Sequence, residues 1–297
     1  MELTTPNLDA LRLGFKTSFQ GAFDKVPTMR DKVAEVVPST TSENLYGWLG
    51  ELPGMREWLG ERVVRNLEEH DYRVKNRDWE ETLGVNRNHI KDDTVGQYSK
   101  RFELMGRSAA RHPELLVWEA LKAGFTDECY DGQPFFDTDH PVLDEDGEET
   151  TVANTDGGAG NPWFLLCTNE VVMPILLQVR EAAQFVALDQ PTDRDVFLNK
   201  LFLYGSEWRG AVAYAFWQMA WGSKQDLDAD TYKLARQSLT SMRSDYGHPM
   251  GLMPNLLVVG PSNEAAGREL LNSERNAAGA TNVWKDTAEL LVCPWLD

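Results

Sequence analysis

Two aspartates and a histidine stand close together in FFDTDHPVLDEDGEE (135–149), the stretch that comes nearest to a metal-binding pattern. Asp137, Asp139 and His140 are residue types that bind divalent metals, and such a group could serve a metal-dependent hydrolase. A metal site needs three or four converging ligands with partners behind them. The acids that follow do not match a calcium-binding loop, and Asp146-Gly147 is a hairpin signal. Nothing else in the sequence supports the metal hypothesis.

Other motifs that could carry chemistry are incomplete. The turn VVGPSNEAAG (258–267) follows an apolar stretch and opens a helix, but it lacks the residues of a phosphate-binding loop. The serine hydrolase motif G-x-S-x-G is absent. Cys129, Cys167 and Cys293 are far apart, which favours reduced thiols that pack as small apolar side chains. The sequence therefore predicts no catalytic residue, no cofactor-binding residue and no metal site.

The balance of charge argues against binding to nucleic acid. The 297 residues include 47 acids and 29 bases, a formal net charge of -18. Affinity for DNA comes mostly from cations that neutralise phosphates, and the sequence has no basic arm. We see no signal peptide, and the most apolar runs are too short or interrupted to span a bilayer. We expect a soluble protein made in the cytosol, without membrane contact.

The elements around the motif indicate an α+β fold. Residues 7–26 predict a helix capped by Asn7, with Leu8, Phe15 and Phe19 on its apolar stripe. A long helix should begin at Asp93 or Thr94, be broken or restarted by Pro113, and end at Gly124. Further elements are a strand at 163–167, another at 197–204, a helix at 230–242, the buried strand LLVVG, a helix from 262 or 263 to 271, and the closing strand ELLVCPWL.

Residues 47–92 are dense in both signs of charge and have few apolar anchors. Within them, DYRVKNRDWEETLGVNR predicts a hairpin with a turn at 75–78. A hairpin this polar cannot bury enough of itself to be stable alone. Two interpretations stay open: an ordinary solvated hairpin, or a projecting arm whose Arg, Glu and Trp residues contact a neighbouring subunit.

Several long blocks of the sequence resemble the major head subunit of Mu-like transposable phages. These are STTSENLYGWLGELPGMREWLGERVVRNL, WEETLGVNRNHIKDD, AGFTDECYDGQPFFDTDHPV and NVWKDTAELLVCPWLD. They run in order from about Val37 to Asp297. The resemblance implies the Hong Kong ninety-seven capsid fold of tailed phages and a shell subunit rather than an enzyme. FFDTDHPV would then be a structural loop with Phe135 and Phe136 as its anchor.

The resemblance also implies a division of the chain. The expected parts are an N-terminal arm (1–46), an extended loop (47–92), a peripheral domain (93–205) with a spine helix (93–123), an axial domain (206–280) and a final strand that returns to the peripheral domain (281–297). Inter-subunit contacts are expected in the extended loop, from Trp48, Arg56, Trp58, Arg62, Arg65, Arg73, Lys75, Arg77, Trp79 and Glu80.

The partners implied are other copies of the chain, in hexameric and pentameric capsomers of an icosahedral shell assembled in the host cytoplasm. A scaffolding protein, a portal and a decoration protein are further expected partners. Double-stranded DNA would be enclosed without specific binding. Lys75 and Lys91 are not expected to cross-link subunits. The alternatives are a cargo-carrying nanocompartment of the same fold and the metal-dependent hydrolase.

Overall fold

The described chain is a mixture of helices and sheets, as the sequence predicts. The structure is a computed structural model, and it describes residues 4–50, 71–92, 96–276 and 278–297. The helices are α1 (Thr5–Phe23), α2 (Arg87–Asp92), α3 (Gln97–Ala123), α4 (Arg194–Asn199), α5 (Ala229–Thr240) and α6 (Glu264–Asn272). The strands are β1 (Ala34–Pro38), β2 (Glu43–Leu45), β3 (Arg73–Lys75), β4 (Arg77–Asn86), β5 (His140–Leu143), β6 (Glu149–Val152), β7 (Thr155–Gly158), β8 (Trp163–Leu166), β9 (Ile175–Leu188), β10 (Leu201–Tyr214), β11 (Ala220–Lys224), β12 (Leu256–Val259) and β13 (Glu289–Val292).

Helix α1 packs along the first half of α3 through the predicted apolar stripe. The ring of Phe15 stacks on that of Phe102 at 4.3 Å between centroids. One turn further along both helices, the backbone of Phe19 passes directly over Gly106, so the two helices run parallel. The expected cap at Asn7 is wrong: the N-cap is Thr4, and Pro6 occupies the first turn, where a missing N–H costs no hydrogen bond.

Helix α3 is continuous across Pro113, so the expected break there is wrong. Proline removes one backbone hydrogen bond, but Met105 before it and Val117 after it are both buried and anchor the helix on each side of Pro113. The buried carboxylate of Glu114 adds a second anchor. It accepts hydrogen bonds from Thr28 Oγ1 (2.9 Å), the amides of Met29 and Arg30 (3.0 Å each) and the Trp118 indole (2.9 Å).

A four-stranded sheet in the order β1-β9-β10-β4 lies against α1 and α3. The expected strand at 197–204 is partly wrong, because residues 194–199 form α4 and the strand begins at Leu201. The partner strand β9 was not predicted. Its first half is buried on both sides while its second half alternates, so no single sequence period marks it.

The hairpin expected within 71–87 is wrong. Strand β3 pairs with β2, whereas β4 pairs with β10 over ten residues, with Trp79 opposite Trp208. The side chain of Asn76, between β3 and β4, is buried and bonded to Ser39 Oγ at 2.8 Å, which separates the two strands. The short pair β2–β3 therefore brings together the residues that precede and follow 46–72.

A five-stranded sheet in the order β13-β12-β8-β11-β7 forms the centre of the second part of the molecule. It joins segments that lie in three of the ranges expected as domains: 93–205, 206–280 and 281–297. The closing strand β13 pairs in parallel with β12 inside this sheet. The two sheets thus divide the chain differently from the expected ranges.

Two apolar clusters fill the interior, and α3 belongs to both. Its first half contributes Phe102 and Met105 to the cluster beneath α1. Its second half contributes Val117, Trp118 and Leu121 to the cluster around the five-stranded sheet. Burial of such side chains is the main stabilising contribution, and α3 couples the two parts because it serves both clusters.

Candidate functional site

The ring of His140 is buried and held from two sides. Its Nδ1 atom lies 2.7 Å from Asp131 Oδ2, and its plane stacks on Trp217 with centroids 4.0 Å apart. The Cys129 thiol donates to Asp131 Oδ1 at 3.0 Å, and so does the amide of Gln133. Asp131 therefore ties the turn at 129–133 to the start of β5.

Cys129, Asp131 and His140 have the residue types of a metal site, with one possible ligand atom of each within 4.8 Å of the others. Their chemistry fits a hydrogen-bond network better. The Cys129 thiol is already the donor to Asp131, and burial, with Asp131 beside it, raises the pKa of this thiol far above its usual range. Burial favours a neutral Asp131, but hydrogen bonds from His140 and Cys129 outweigh it and lower the pKa of this carboxyl.

The two aspartates of the opening motif do not join His140. Asp137 Oδ1 accepts from the amides of Thr138 (2.6 Å) and Asp139 (3.1 Å), so it closes its own turn. Asp139 Oδ2 accepts only a 3.2 Å bond from Thr138 Oγ1 among the bonds of the described chain, and its side chain is exposed. The grouping that the metal-dependent hydrolase required is absent from the described residues.

The predicted anchor of this loop is confirmed. Phe135 stacks on Tyr214 at 4.6 Å, and Phe136 lies against Phe164 at 5.3 Å. A residue without any signal in the sequence completes the loop: buried Asn154 donates to the carbonyls of Phe135 (2.8 Å) and Trp217 (3.2 Å) and accepts from the Asp137 amide (2.9 Å). The loop is therefore a packed structural element.

A buried polar network fastens β9 to the residues on either side of 47–73, within the segment expected as an extended loop. Gln178 Oε1 accepts from the Tyr46 hydroxyl at 2.9 Å. Its Nε2 donates to Asn76 Oδ1 (2.6 Å) and to the carbonyl of Val74 (3.2 Å). Tyr46 precedes residues 47–73 and Asn76 follows them, so the Gln178 side chain connects the segments on both sides. Sequence reasoning missed Gln178, because a single polar residue in ILLQV carries no periodic signal.

The ten expected contact residues differ in their surroundings. Arg56, Trp58, Arg62 and Arg65 lie outside the described residues. Trp48 is half exposed, and Arg73 is bonded to Asp71 (2.5 Å) and Glu43 (3.3 Å) within its own chain. The exposed side chains of Lys75 and Arg77 form no ion pair with any described residue.

Trp79 faces its own chain, while its neighbour Glu80 faces solvent. The Trp79 ring lies 4.5 Å from that of His112, which in turn lies 5.5 Å from Trp208. Burial lowers the pKa of His112, which keeps this ring neutral between the two indoles. Glu80 is exposed on the other face of the sheet and directly opposite Glu207 of β10. Glu80 is therefore free to meet another molecule, and Trp79 much less so.

Comparisons with a family model and with related sequences indicate the same family. Residues 8–296 match the family model described as "Mu-like prophage major head subunit gpT". The chain is 38% identical over 305 aligned positions to the major capsid protein of Escherichia phage Mu, with both sequences covered completely. Among the described residues, no helix has the length and apolar character needed to cross a membrane.

Solved structures agree with the sequence relatives. A chain from the procapsid of bacteriophage JBD30 superposes with a TM-score of 0.85 at 37% identity, covering 99% of this chain and 100% of that one. A chain from the JBD30 capsid decorated with minor capsid protein trimers gives a TM-score of 0.81 at 29% identity, with complete coverage of both.

Proposed function

The chain belongs to the family of Mu-like prophage major head subunits, and on this premise we propose how its surfaces serve a phage head. It is a major capsid protein with the Hong Kong ninety-seven fold, and copies of it assemble into the icosahedral capsid of the virion. The observation that carries this function is the match to the procapsid chain over practically its whole length. The partners, contacts and domain roles below are our proposals.

We propose that assembly proceeds through a procapsid that needs a separate scaffolding protein and a portal, and that the mature shell encloses double-stranded DNA. A decoration protein is a further proposed partner, because the related JBD30 capsid carries minor capsid protein trimers. A subunit held at several edges gains avidity well beyond any one interface. Such a shell can therefore be built from individually modest contacts.

The extended loop is the proposed arm that lies over a neighbouring copy. Its base is anchored to the rest of the subunit by the β2–β3 pair and by the hydrogen bonds of Gln178. Trp48, Lys75, Arg77 and Glu80 have exposed surface at this base, and Lys75 and Arg77 are cations without a described ion-pair partner. Exposed charges of this kind contribute mainly to orientation and association rate. Arg73 and Trp79 act within the chain first, through Asp71 and His112.

The two sheets support a revised assignment of domains. We propose that the four-stranded sheet with α1 and the first half of α3 forms the peripheral domain. The five-stranded sheet with α5 and α6 forms the axial domain. The range 206–280 then covers only part of the axial domain, because β7, β8 and β13 lie in the same sheet. A reconstruction of the assembled shell checks this: the five-stranded sheet should surround the capsomer centre.

The direct test is electron microscopy of the chain expressed with and without its neighbouring scaffold gene. We expect closed shells with the scaffold, and tubes, rings or irregular shells without it. A stable monomer under both conditions would contradict the shell function, and correct shells from the chain alone would contradict the need for a scaffold.

In the same assay, Lys75→Ala/Arg77→Ala should reduce the yield of shells several-fold. The matched control Lys75→Arg/Arg77→Lys, which keeps both positive charges at the same positions, should not.

A further inference from the structure

Opposite sides of the peripheral part carry opposite charge. The four-stranded sheet has α1 and α3 on one face, and among the described elements nothing covers the other face over residues 77–86, 180–188 and 201–209. On that bare face Glu207 stands directly opposite Glu80, with Asp78 and Glu181 nearby. Arg209 bridges Asp78 (3.0 Å) and Glu181 (3.7 Å), so the cation there is already used.

The helical face carries exposed bases. Lys100, Arg107 and Arg111 recur along one exposed side of α3, spaced by seven and four residues, which is roughly 10 and 6 Å along the helix axis. Arg101 lies beside this row, and Lys16 and Lys25 of α1 are exposed on the same layer. The neighbouring acids include Asp9, Asp24 and Glu103 of the two helices, and Glu81 of β4, which lies near Ser108 and His112 on the same side of the sheet. Helix α1 runs parallel to α3, so both helices contribute to one surface.

Most of these bases are available to another molecule. Asp9 is near Arg12 (3.4 Å), Asp24 accepts from Gln20 (2.7 Å), and Glu103 is paired with Lys100 (2.8 Å). Arg107 and Arg111 form no ion pair or side-chain hydrogen bond with any described residue. Arg107 and Arg111 are thus unpaired cations on a protein whose net charge is -18. Their exposed positions allow an anion from another molecule to neutralise them.

We propose that the α1–α3 surface lines the inside of the shell and contacts the phosphate backbone of the enclosed double-stranded DNA, while the acidic sheet face points outward. This inference rests on the proposed function as a shell subunit. A wall one subunit thick has one inner and one outer face. The two faces of the peripheral part differ in the sign of their exposed charge. Arginine and lysine contacts to phosphates are independent of sequence. A few such contacts per subunit hold DNA weakly.

The inner position can be tested by thiol labelling, because Cys129, Cys167 and Cys293 are all buried. Burial raises the pKa of Cys167 and of Cys293 to about 12, so the unaltered chain gives little background. Leu104→Cys places a thiol in the basic row, where Leu104 is 65% exposed, and Thr82→Cys places one beside Glu80. The reagent is a maleimide on a polyethylene glycol too large to enter a closed shell.

Both new thiols should react in free subunits. In intact shells, Leu104→Cys should be protected at least tenfold, whereas Thr82→Cys stays reactive. Reaction of Leu104→Cys in intact shells at its free-subunit rate overturns the inference, whatever Thr82→Cys does. Failure of the unaltered chain to form shells would instead contradict the proposed function, so the two failures are distinguishable.

Contact with DNA is tested on free full-length subunits with a 30-base-pair duplex. We compare Arg107→Gln/Arg111→Gln with the matched control Lys233→Gln/Arg275→Gln by fluorescence anisotropy over a range of salt concentrations. Removal of two phosphate contacts should lower the slope of log affinity against log salt by about 2. The control should leave the slope unchanged. Equal slopes in both variants, or binding of polyglutamate but not of the duplex, overturn the proposal, and the latter identifies an acidic protein as the partner.

Discussion

At the scale of single residues, Gln178 connects the two segments that flank residues 47–73. Its side chain is fully buried, and its partners Tyr46 and Asn76 belong to the segments before and after residues 47–73. A buried polar group that loses its partner costs about 1–3 kcal/mol. Gln178 serves several such groups, so its contribution exceeds that of an ordinary side-chain hydrogen bond.

We predict that Gln178→Leu lowers the free energy of unfolding by roughly 2–4 kcal/mol, because the Tyr46 hydroxyl and the Asn76 Oδ1 atom lose their partner without access to water. Chemical denaturation of the isolated subunit measures the loss of stability. Hydrogen exchange at the backbone N–H of Asn76, which donates to the carbonyl of Ser42, should become faster. Gln184→Leu, on the exposed part of the same strand, is the control and should change stability by less than about 0.5 kcal/mol. Similar stability of the two variants would contradict this role for Gln178.

Asp228, the N-cap of α5, should contribute to stability in a pH-dependent way. Asp228 accepts from the backbone of Thr231 (2.9 Å) and of Asp230 (2.9 Å), and these hydrogen bonds lower its pKa. A carboxyl with a lowered folded pKa stabilises the fold above its unfolded pKa of about 3.9, and the contribution disappears as the pH falls through the folded pKa. Asp228→Ala should therefore cost about 1 kcal/mol at pH 7, with a smaller cost at pH 3.

Thermal unfolding of the wild type and Asp228→Ala between pH 7 and pH 3 checks this prediction. Asp228→Asn is the control, because an amide caps the helix without titrating in this range. A difference between wild type and Asp228→Ala that stays constant or grows as the pH falls would show that the charge of Asp228 is not involved.

At the scale of elements, the crossing of α1 and α3 depends on one glycine. A Cβ atom on Gly106 would overlap the carbonyl oxygen of Phe19. We predict that Gly106→Ala pushes the two helices apart and costs about 1–3 kcal/mol, although alanine is the better helix former. Differential scanning calorimetry measures the change.

Gly14→Ala in α1 is the matched control for this crossing, because the same exchange occurs in a helix and a Cβ atom on Gly14 would have no neighbour within 4 Å. It should stabilise the subunit by about 0.5–1 kcal/mol. If both exchanges shift stability in the same direction, helix propensity decides the outcome and the close contact at Gly106 does not.

At the scale of the whole molecule, a net charge of -18 per subunit opposes assembly. Repulsion between like charges is screened over about 10 Å at 0.1 M salt and over about 30 Å at 0.01 M. We predict that shells form faster and at lower protein concentration as salt rises from 0.01 to 0.1 M. Light scattering follows the reaction. Slower assembly over this range would show that attractive ion pairs between subunits outweigh the repulsion of their net charge.

The sequence by itself determined the family, the α+β class and several elements with local signals. The apolar stripe of α1, the helix expected at 230–242 and found as α5, and the buried run LLVV are recognisable because their period or composition is contained within one segment. Phe135 and Phe136 were expected as anchors because of the resemblance to the family, and not because of a local period.

Only the tertiary structure decided which strands pair and which polar side chains meet. Strand β4 pairs with β10, more than a hundred residues away, and Asp131 rather than Asp137 or Asp139 binds His140. Pairing over such distances depends on the complementarity of two surfaces, and neither surface is visible in its own segment. The separation of acidic and basic faces has the same origin, because net charge is a sum over residues and the fold assigns each residue to a side.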